Sequence, residues 1–280
     1  MKLHPNGSQT LRVATYNIHK CRGFDQRVRP ERIAQVLGEL DADIVALQEV
    51  VGRGSHSHRD QAHYVAEALG YHPAFGENRR HNCAAYGNLI LSRFPVVGFW
   101  NYDITTRGRE PRGVLRTDVR LEDGHVLHLF NVHLGTAYRE RREQARHMVS
   151  RRILRNAELA GARIVMGDFN EWIPGEATRL LSDHFGSHSF YPRASRRRTY
   201  PCFLPLLRLD HIYFDQSLRL HRLELHRSRK ALIASDHLPV VAEFSVQPRH
   251  DGAPGRRDSQ PRVAQVFDNQ PEASHPFARA

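Results

Sequence analysis

The stretch Ala162-Arg163-Ile164-Val165-Met166-Gly167-Asp168-Phe169-Asn170 decides the fold. Its first half is short, apolar and β-branched, the composition of a buried strand. Gly167 breaks the run, and an acid and an amide follow with one residue between them. Alternate side chains at a strand end point the same way, so Asp168 and Asn170 can share one site. Working outward, other strand-like runs end in polar residues: Thr15-Tyr16-Asn17, Ala46-Leu47-Gln48-Glu49 and Phe130-Asn131-Val132-His133. Nearer the C-terminus come Arg208-Leu209-Asp210 and Ser235-Asp236-His237. Polar groups at the ends of several strands, distant in sequence, are how an α/β scaffold assembles a site.

Between these runs the periodicity changes. Pro30 opens a helix on which Ile33, Val36, Leu37 and Leu40 recur at helical spacing. Residues 52–60 read as a polar loop, and Gln61 to Leu69 as a helix stopped by Gly70. Asn88 to Leu91 and Val96 to Trp100 read as strands joined across the Pro95 turn. Val114 to Leu121 and His125 to His133 read as a hairpin turned by Glu122-Asp123-Gly124. Arg139 to Leu159 carries an apolar stripe (Ala145, Met148, Val149, Ile153, Ala157) and reads as the longest helix. A short helix from Glu176 to Leu181 and a basic, irregular segment over 192–201 follow. Strands are expected at Leu209 to Phe214, Leu218 to Leu225 and Pro239 to Phe244. Hairpins are as frequent as crossovers, which excludes a wholly parallel sheet. The expected fold is α/β: two mixed sheets packed face to face with helices outside. One domain is expected over 1–246, and Gln247 to Ala280, poor in apolar residues, as a disordered tail.

The chain of 280 residues is 40% hydrophobic, enough for a core, and its apolar runs are too short to span a bilayer. Residues 1–10 have no apolar h-region, and Cys21, Cys83 and Cys202 form no CxxC pair. A cytoplasmic monomer is the expectation, with neither a disulfide framework nor a zinc ribbon. The net charge of +11 is carried almost wholly by arginine, with Lys2, Lys20 and Lys230 as the lysines. Such a balance attracts phosphate in nucleic acid, anionic lipid or small esters. It equally describes a solvated surface.

The strand ends supply carboxylates (Glu49, Asp168, Asp210, Asp236) and amides without cysteine, hard oxygen donors that suit Mg²⁺ or Mn²⁺. His133 and His237 add acid/base groups and phosphate contacts. An oxygen-ligated divalent ion beside histidine is what phosphoester hydrolysis requires. Each residue alone also has a structural reading: Asn17 as a strand-end cap, Asp210 as a partner of Arg208, Asp236-His237 as a turn before Pro239. His56, His58 and His63 form a further cluster with transition-metal character. Cys202 to Leu207 is an apolar run that reads either as a lipid contact or as core.

Taken in order, Thr15-Tyr16-Asn17-Ile18-His19, Leu47-Gln48-Glu49, Gly87-Asn88-Leu89-Ile90-Leu91-Ser92, Asn131-Val132-His133-Leu134, Gly167-Asp168-Phe169-Asn170, Leu209-Asp210-His211-Ile212-Tyr213 and Ser235-Asp236-His237-Leu238-Pro239 resemble the successive motifs of the endonuclease/exonuclease/phosphatase (DNase I-like) superfamily. The resemblance runs from about Leu11 to Phe244. It implies a four-layer α/β sandwich and Mg²⁺-dependent hydrolysis of phosphoesters. It implies Asn17 and Glu49 at the metal, with Glu49 the main ligand, and Asp236 supporting the metal or the adjacent histidine. Asp168 would orient or deprotonate the water and Asn170 hold the scissile phosphate. His237, its ring fixed by Asp210, and His133 would contact the phosphate. The abasic-site repair branch usually carries an acid and a tyrosine where this chain has His19 and His133. The segment Arg198 to Asp210 is instead similar to short bacterial members, some of them tied to phospholipid metabolism. The leading expectation is therefore a nuclease-type phosphodiester hydrolase, with Arg79, Arg80, Arg107, Arg109 and Arg112 supplying a groove. A phospholipid or small-molecule phosphodiesterase or phosphatase comes next, and a non-catalytic basic nucleic-acid-binding module last.

Overall fold

The computed structural model describes residues 2–3, 9–54, 60–185 and 198–246. Five strands and a pair of helices open the chain: β1 (Lys2–Leu3), β2 (Gln9–Asn17), α1 (Pro30–Leu40), β3 (Ile44–Gly54), α2 (Gln61–Leu69), β4 (His72–His81) and β5 (Ala84–Ser92). The middle holds β6 (Val96–Asp103), β7 (Gly113–Arg120), β8 (Val126–His133), α3 (Tyr138–Met148), β9 (Ala162–Asp168) and α4 (Glu176–Phe185). Strands β10 (Asp210–Phe214) and β11 (Leu218–Leu225), helix α5 (Ala231–Ala234) and strand β12 (Val240–Val246) complete it.

These strands form a seven-stranded sheet in the order β11-β12-β2-β3-β5-β4, with β1 on β2, and a five-stranded sheet in the order β10-β9-β8-β7-β6. Each has one parallel pair, β2 with β3 and β8 with β9, and the other pairings are antiparallel. A helix crosses between the parallel partners in both cases, α1 in one sheet and α3 in the other. Strand alternation then sorts side chains into layers. Leu11, Val13, Ile44 and Ala46 of one sheet meet Leu127, Leu129, Ile164 and Met166 of the other in a central core. The opposite faces, through Tyr16, Val45 and Leu47, pack on α1 and α2. Phe130, Val132 and Val165 pack on α3 and α4. Three apolar seams mean four layers, as the sequence predicts. Ile33, Val36, Leu37 and Leu40 of α1 are all buried, each stabilising by roughly 1.5–3 kcal/mol over exposure. Leu37→Ala would cost about 2–5 kcal/mol.

Two sequence expectations are corrected, and one strand is added. The helix expected over 139–159 spans Tyr138–Met148. Beyond it the chain runs in turns, with the Leu154 N–H bonding to the Met148 carbonyl, so that adjacent Ile153 and Leu154 both reach the core. A continued helix would carry adjacent residues about 100° apart. Second, the strands flanking Pro95 are not partners: β5 lies in the larger sheet and β6 in the smaller. The chain changes layer there, and Phe94 enters the central core at the crossing. The added strand is β4, which lacks alternating apolar residues and is not expected from the sequence. It is the sheet edge, where Pro73 and the charged Glu77, Arg79 and Arg80 are tolerated. Residues 247–280 and the loop with His56 and His58 lie outside the described residues, as does most of the basic segment over 192–201. His63 sits exposed on α2.

Candidate active site

The site is the inter-sheet core continued past its apolar end. Along β2 the inward parity runs Leu11, Val13, Thr15, Asn17; along β8 it runs Leu127, Leu129, Asn131, His133; along β9 it runs Ile164, Met166, Asp168. The transition is a buried amide layer. Gln48 Nε2 donates to Thr15 Oγ1 (3.1 Å) and, across the sheets, to Asn131 Oδ1 (2.8 Å). Asn131 Nδ2 donates in turn to the carbonyls of Leu47 and Leu89. These bonds, with those from Asn88 Nδ2 to the Gly113 and Asn131 carbonyls, tie the two sheets together where their apolar contact ends.

Glu49 breaks the parity. Ile44, Ala46 and Gln48 face inward, so a regular strand would turn Glu49 toward the helices. Instead β3 does not end there: it bulges between Leu47 and Val50 and runs on to Gly54, with Glu49 at φ 58°. The bulge swings the carboxylate into the site. Asn17 Nδ2 donates to Glu49 Oε1 (3.2 Å) and to Asp168 Oδ2 (3.0 Å), bridging the two acids. The Lys20 ammonium lies on Glu49 Oε2, and burial together with the nearby Glu49 charge keeps the Tyr86 hydroxyl protonated. Burial opposes ionisation of Glu49, but His133, once acid protonates it, and the Lys20 ammonium outweigh burial and hold the carboxyl well below its usual range. Lys20 arrives there through a left-handed turn, His19, Lys20 and Cys21 all having positive φ.

The other half is more regular. Asp168 and Asp210 are register partners at the ends of antiparallel β9 and β10. A Cβ at Gly167 would lie 2.0 Å from the Val132 carbonyl oxygen, so only glycine lets β9 reach this far beside β8. Asp210 Oδ2 meets His237 Nδ1 at 2.9 Å. The other ring nitrogen lies 3.7 Å from Asp168 Oδ2. Burial alone would lower the pKa of His237; Asp210 and Asp168 reverse this and raise it to about 10. Burial also raises the pKa of Asp168, against the pull of His237 and His133. His133 behaves in the opposite way to His237. Arg112 Nη1, which can only donate, lies 3.1 Å from His133 Nδ1. The proton of His133 is therefore on Nε2, 3.6 Å from Asp168 Oδ2. Burial and Arg112 depress its pKa to about 4, so the ring is neutral. Asp168 Oδ1 accepts from the Asn170 N–H (2.9 Å), and Asn170 Nδ2 donates to the Leu134 carbonyl.

Asn17, Glu49, Asp168, Asn170, His133, Asp210 and His237 thus converge. Asp236 stands at the rim, 3.5 Å from His19 Nδ1, and is joined to the group by Ser235, whose hydroxyl reaches both Asp236 Oδ1 and the Asn17 carbonyl. Sequence reasoning missed Lys20 and Tyr86, and counted Arg112 in a groove. Arg112 is buried against His133 and pairs with Glu110. Arg79 stacks 4.3 Å over Tyr86 and also pairs with Glu110.

Two donor groups could hold a cation. Asp168, Asp210 and His237 offer ligand atoms within 4.8 Å of one another, but a protonated imidazole is no ligand. Asn17, Glu49 and Asp236 are oxygen donors, and a cationic ammonium already rests on Glu49. That set fits Mg²⁺ or Mn²⁺.

The model of the Endonuclease/Exonuclease/phosphatase family matches residues 14–237. The uncharacterized protein YbhP of Escherichia coli (strain K12) is 33% identical over 248 residues, 84% of this chain and 96% of that protein. An endonuclease/exonuclease/phosphatase family protein from Bacteroides thetaiotaomicron superposes with a TM-score of 0.71 at 21% identity, covering 88% of this chain and 99% of that one. A mannosyl-6-phosphatase from Bacteroides thetaiotaomicron VPI-5482 superposes at 0.66 with 21% identity, covering 84% and 99%. These two likenesses are of fold. The family match spans every strand that contributes to the site, and the chain belongs to the endonuclease/exonuclease/phosphatase family, whose members act on phosphoesters.

Proposed function

We propose that the chain is a Mg²⁺-dependent phosphodiester hydrolase. The observation that carries this reading is the pair of oppositely tuned histidines around one buried carboxylate. Asp168 faces a cationic His237 and a neutral His133 at nearly equal distances, 3.7 and 3.6 Å. A phosphoryl group entering between them meets an imidazolium N–H and a neutral N–H as donors, and its displacement of water strengthens both bonds. Asp168 is the group placed to orient or deprotonate a water, and Asn170, with one amide hydrogen on Leu134, can turn the other toward a phosphate oxygen. Asp210 fixes the His237 ring and keeps it charged. Glu49, Asn17 and Asp236 would hold the ion. When bound, the ion supplies charge stabilisation at the phosphoryl oxygens and leaving group.

The nuclease form of this reading draws on the basic charge, with Arg107 and Arg109 exposed at the site end. Arg79 and Arg112 are committed to Tyr86, Glu110 and His133, which leaves a thinner groove than composition suggests. The lipid or small-molecule form draws on the apolar rim described below. Purified protein stripped with EDTA should be inert on bis-p-nitrophenyl phosphate, plasmid, single-stranded DNA, RNA and a phospholipid panel. Mg²⁺ or Mn²⁺ should restore hydrolysis of at least one. Full activity in EDTA, or rescue by Zn²⁺ alone, would overturn the oxygen-ligand assignment.

A further inference from the structure

Most of the exposed large apolar side chains among the described residues lie at the site end of the sandwich. Phe24, Val28, Phe203, Leu204 and Leu206 are each more than half exposed, and Ile233 is 48% exposed. They form one patch. The Phe24 and Phe203 rings are 5.5 Å apart, and the Phe24 N–H donates to the Ile233 carbonyl (3.0 Å). The patch is built into the site's own supports. Cys202 N–H bonds to the Asp236 carbonyl (2.8 Å), the Tyr200 ring lies 5.0 Å from that of His237, and Ile233 precedes Ser235 in the same turn. Across the site, Tyr138 and Trp172, 59% and 65% exposed, follow His133 and Asn170 by a few residues. Exposed apolar area of this kind marks a binding surface.

Charge names the occupant. The segments that carry the patch, 22–29, 199–209 and 226–233, contain one acid, Asp25, and it is paired with Arg32 at 2.8 Å. The same segments expose Arg22, Arg27, Arg29, Arg227 and Arg229. Aliphatic and aromatic tips surrounded by exposed arginines that make no salt bridge among the described residues suit a surface that is apolar below and anionic above, which is an interfacial lipid layer. Single-stranded nucleic acid would use the arginines and the rings, but Val28, Leu204, Leu206 and Ile233 have no π face on which a base could stack.

We propose that this patch docks the protein on an anionic phospholipid surface, presenting phosphodiester headgroups to the site beside it. The substrate part rests on the hydrolase reading above; the docking part does not. The arginines make the initial contact and the apolar tips insert to the depth of the glycerol region, which brings the Asp236–His237 loop against the headgroups.

Flotation with vesicles separates the two claims. In EDTA, the protein should float with phosphatidylcholine vesicles containing phosphatidylglycerol and stay behind with phosphatidylcholine alone. Leu204→Ser with Ile233→Ser should weaken partition at least about tenfold, with the circular dichroism spectrum and melting temperature kept. Asp168→Asn should float like wild type whatever becomes of hydrolysis, so a failed hydrolase reading leaves the docking result standing. Absence of flotation by wild type overturns the proposal. So does equal flotation by the double variant, or a wild-type dimer that the variant dissolves, which would assign the patch to a second copy. Tight binding of single-stranded DNA that the variant abolishes, without flotation, would assign it to nucleic acid.

Discussion

The two halves of the site are built differently. The half from the smaller sheet, Asp168, Asp210 and His133, sits flush in regular strands with side chains following strand parity. The half from the larger sheet, with Glu49 and Lys20, depends on a bulge and on a run of left-handed residues at His19, Lys20 and Cys21. Non-glycine residues in that region cost of order 1–3 kcal/mol each and persist only where surroundings enforce them. In the regular half the carboxylates face imidazoles, and among the described residues Asp210 Oδ1 is buried without a hydrogen-bond partner. In the strained half the Lys20 ammonium sits on the Glu49 carboxylate. On the proposed reading, proton handling belongs to the first half and ion binding to the second.

Asp168→Asn should break the regular half most severely, because its carboxylate meets both histidines and Asn17. A loss on the order of 10⁴-fold in kcat, read on bis-p-nitrophenyl phosphate at saturating Mg²⁺, is expected. His237→Ala should lose on the order of 10²–10⁴-fold. Asp210→Asn should lose the same or less, and the double variant no more than His237→Ala, since groups acting as one unit are not additive. Losses that multiply would show that Asp210 acts apart from the ring it touches. Smaller again, pH should separate the histidines in stability. The pKa of His237 is raised to about 10, so the stability it contributes, present below its unfolded value of roughly 6.5, is lost as pH rises through 10. His133 and buried His211 are lowered to about 4 and about 3. The unfolded chain then binds more protons than the folded one below about pH 6.5, and the melting temperature should fall as pH drops from there toward 4. A melting temperature flat over both windows would contradict these charge states. The smallest effect expected is from deleting Gln247 to Ala280, too poor in apolar residues to build a core. Activity and melting temperature should barely move, and a large fall in either would place part of the domain beyond Val246.

The contrast between the halves also explains what the sequence could reveal. Asp168 and His133 were legible because strand parity aims them, whereas Asn170, two residues past the end of β9, is turned in by a left-handed backbone at φ 50°. The Asp210–His237 contact followed from the family resemblance and is met at 2.9 Å. Lys20 was illegible because nothing in His19-Lys20-Cys21 signals a left-handed turn. Its one trace was a lysine kept at the site in a chain whose cations are nearly all arginine. Glu49 was legible as a residue type but not as a bulge, since a two-against-one pairing depends on the partner strand. Arg112 was miscast for a related reason: burial, which separates a tether of His133 from a groove arginine, is a property of the packed sheets. Strand β4 escaped because an edge strand needs no apolar alternation, and α3 was overextended because its stripe continues into turns that bury Ile153 by another route.

The most direct test of this division is the Mg²⁺ dependence of hydrolysis in Glu49→Gln and Asp168→Asn side by side with wild type. If Glu49 serves the ion and Asp168 the proton, Glu49→Gln should need far more Mg²⁺ for half-maximal rate and recover part of its loss as the concentration rises. Asp168→Asn should bind Mg²⁺ with wild-type affinity by calorimetry, yet stay slow at every concentration. Recovery of Asp168→Asn at high Mg²⁺, with Glu49→Gln unmoved by it, would contradict the assignment of the two halves.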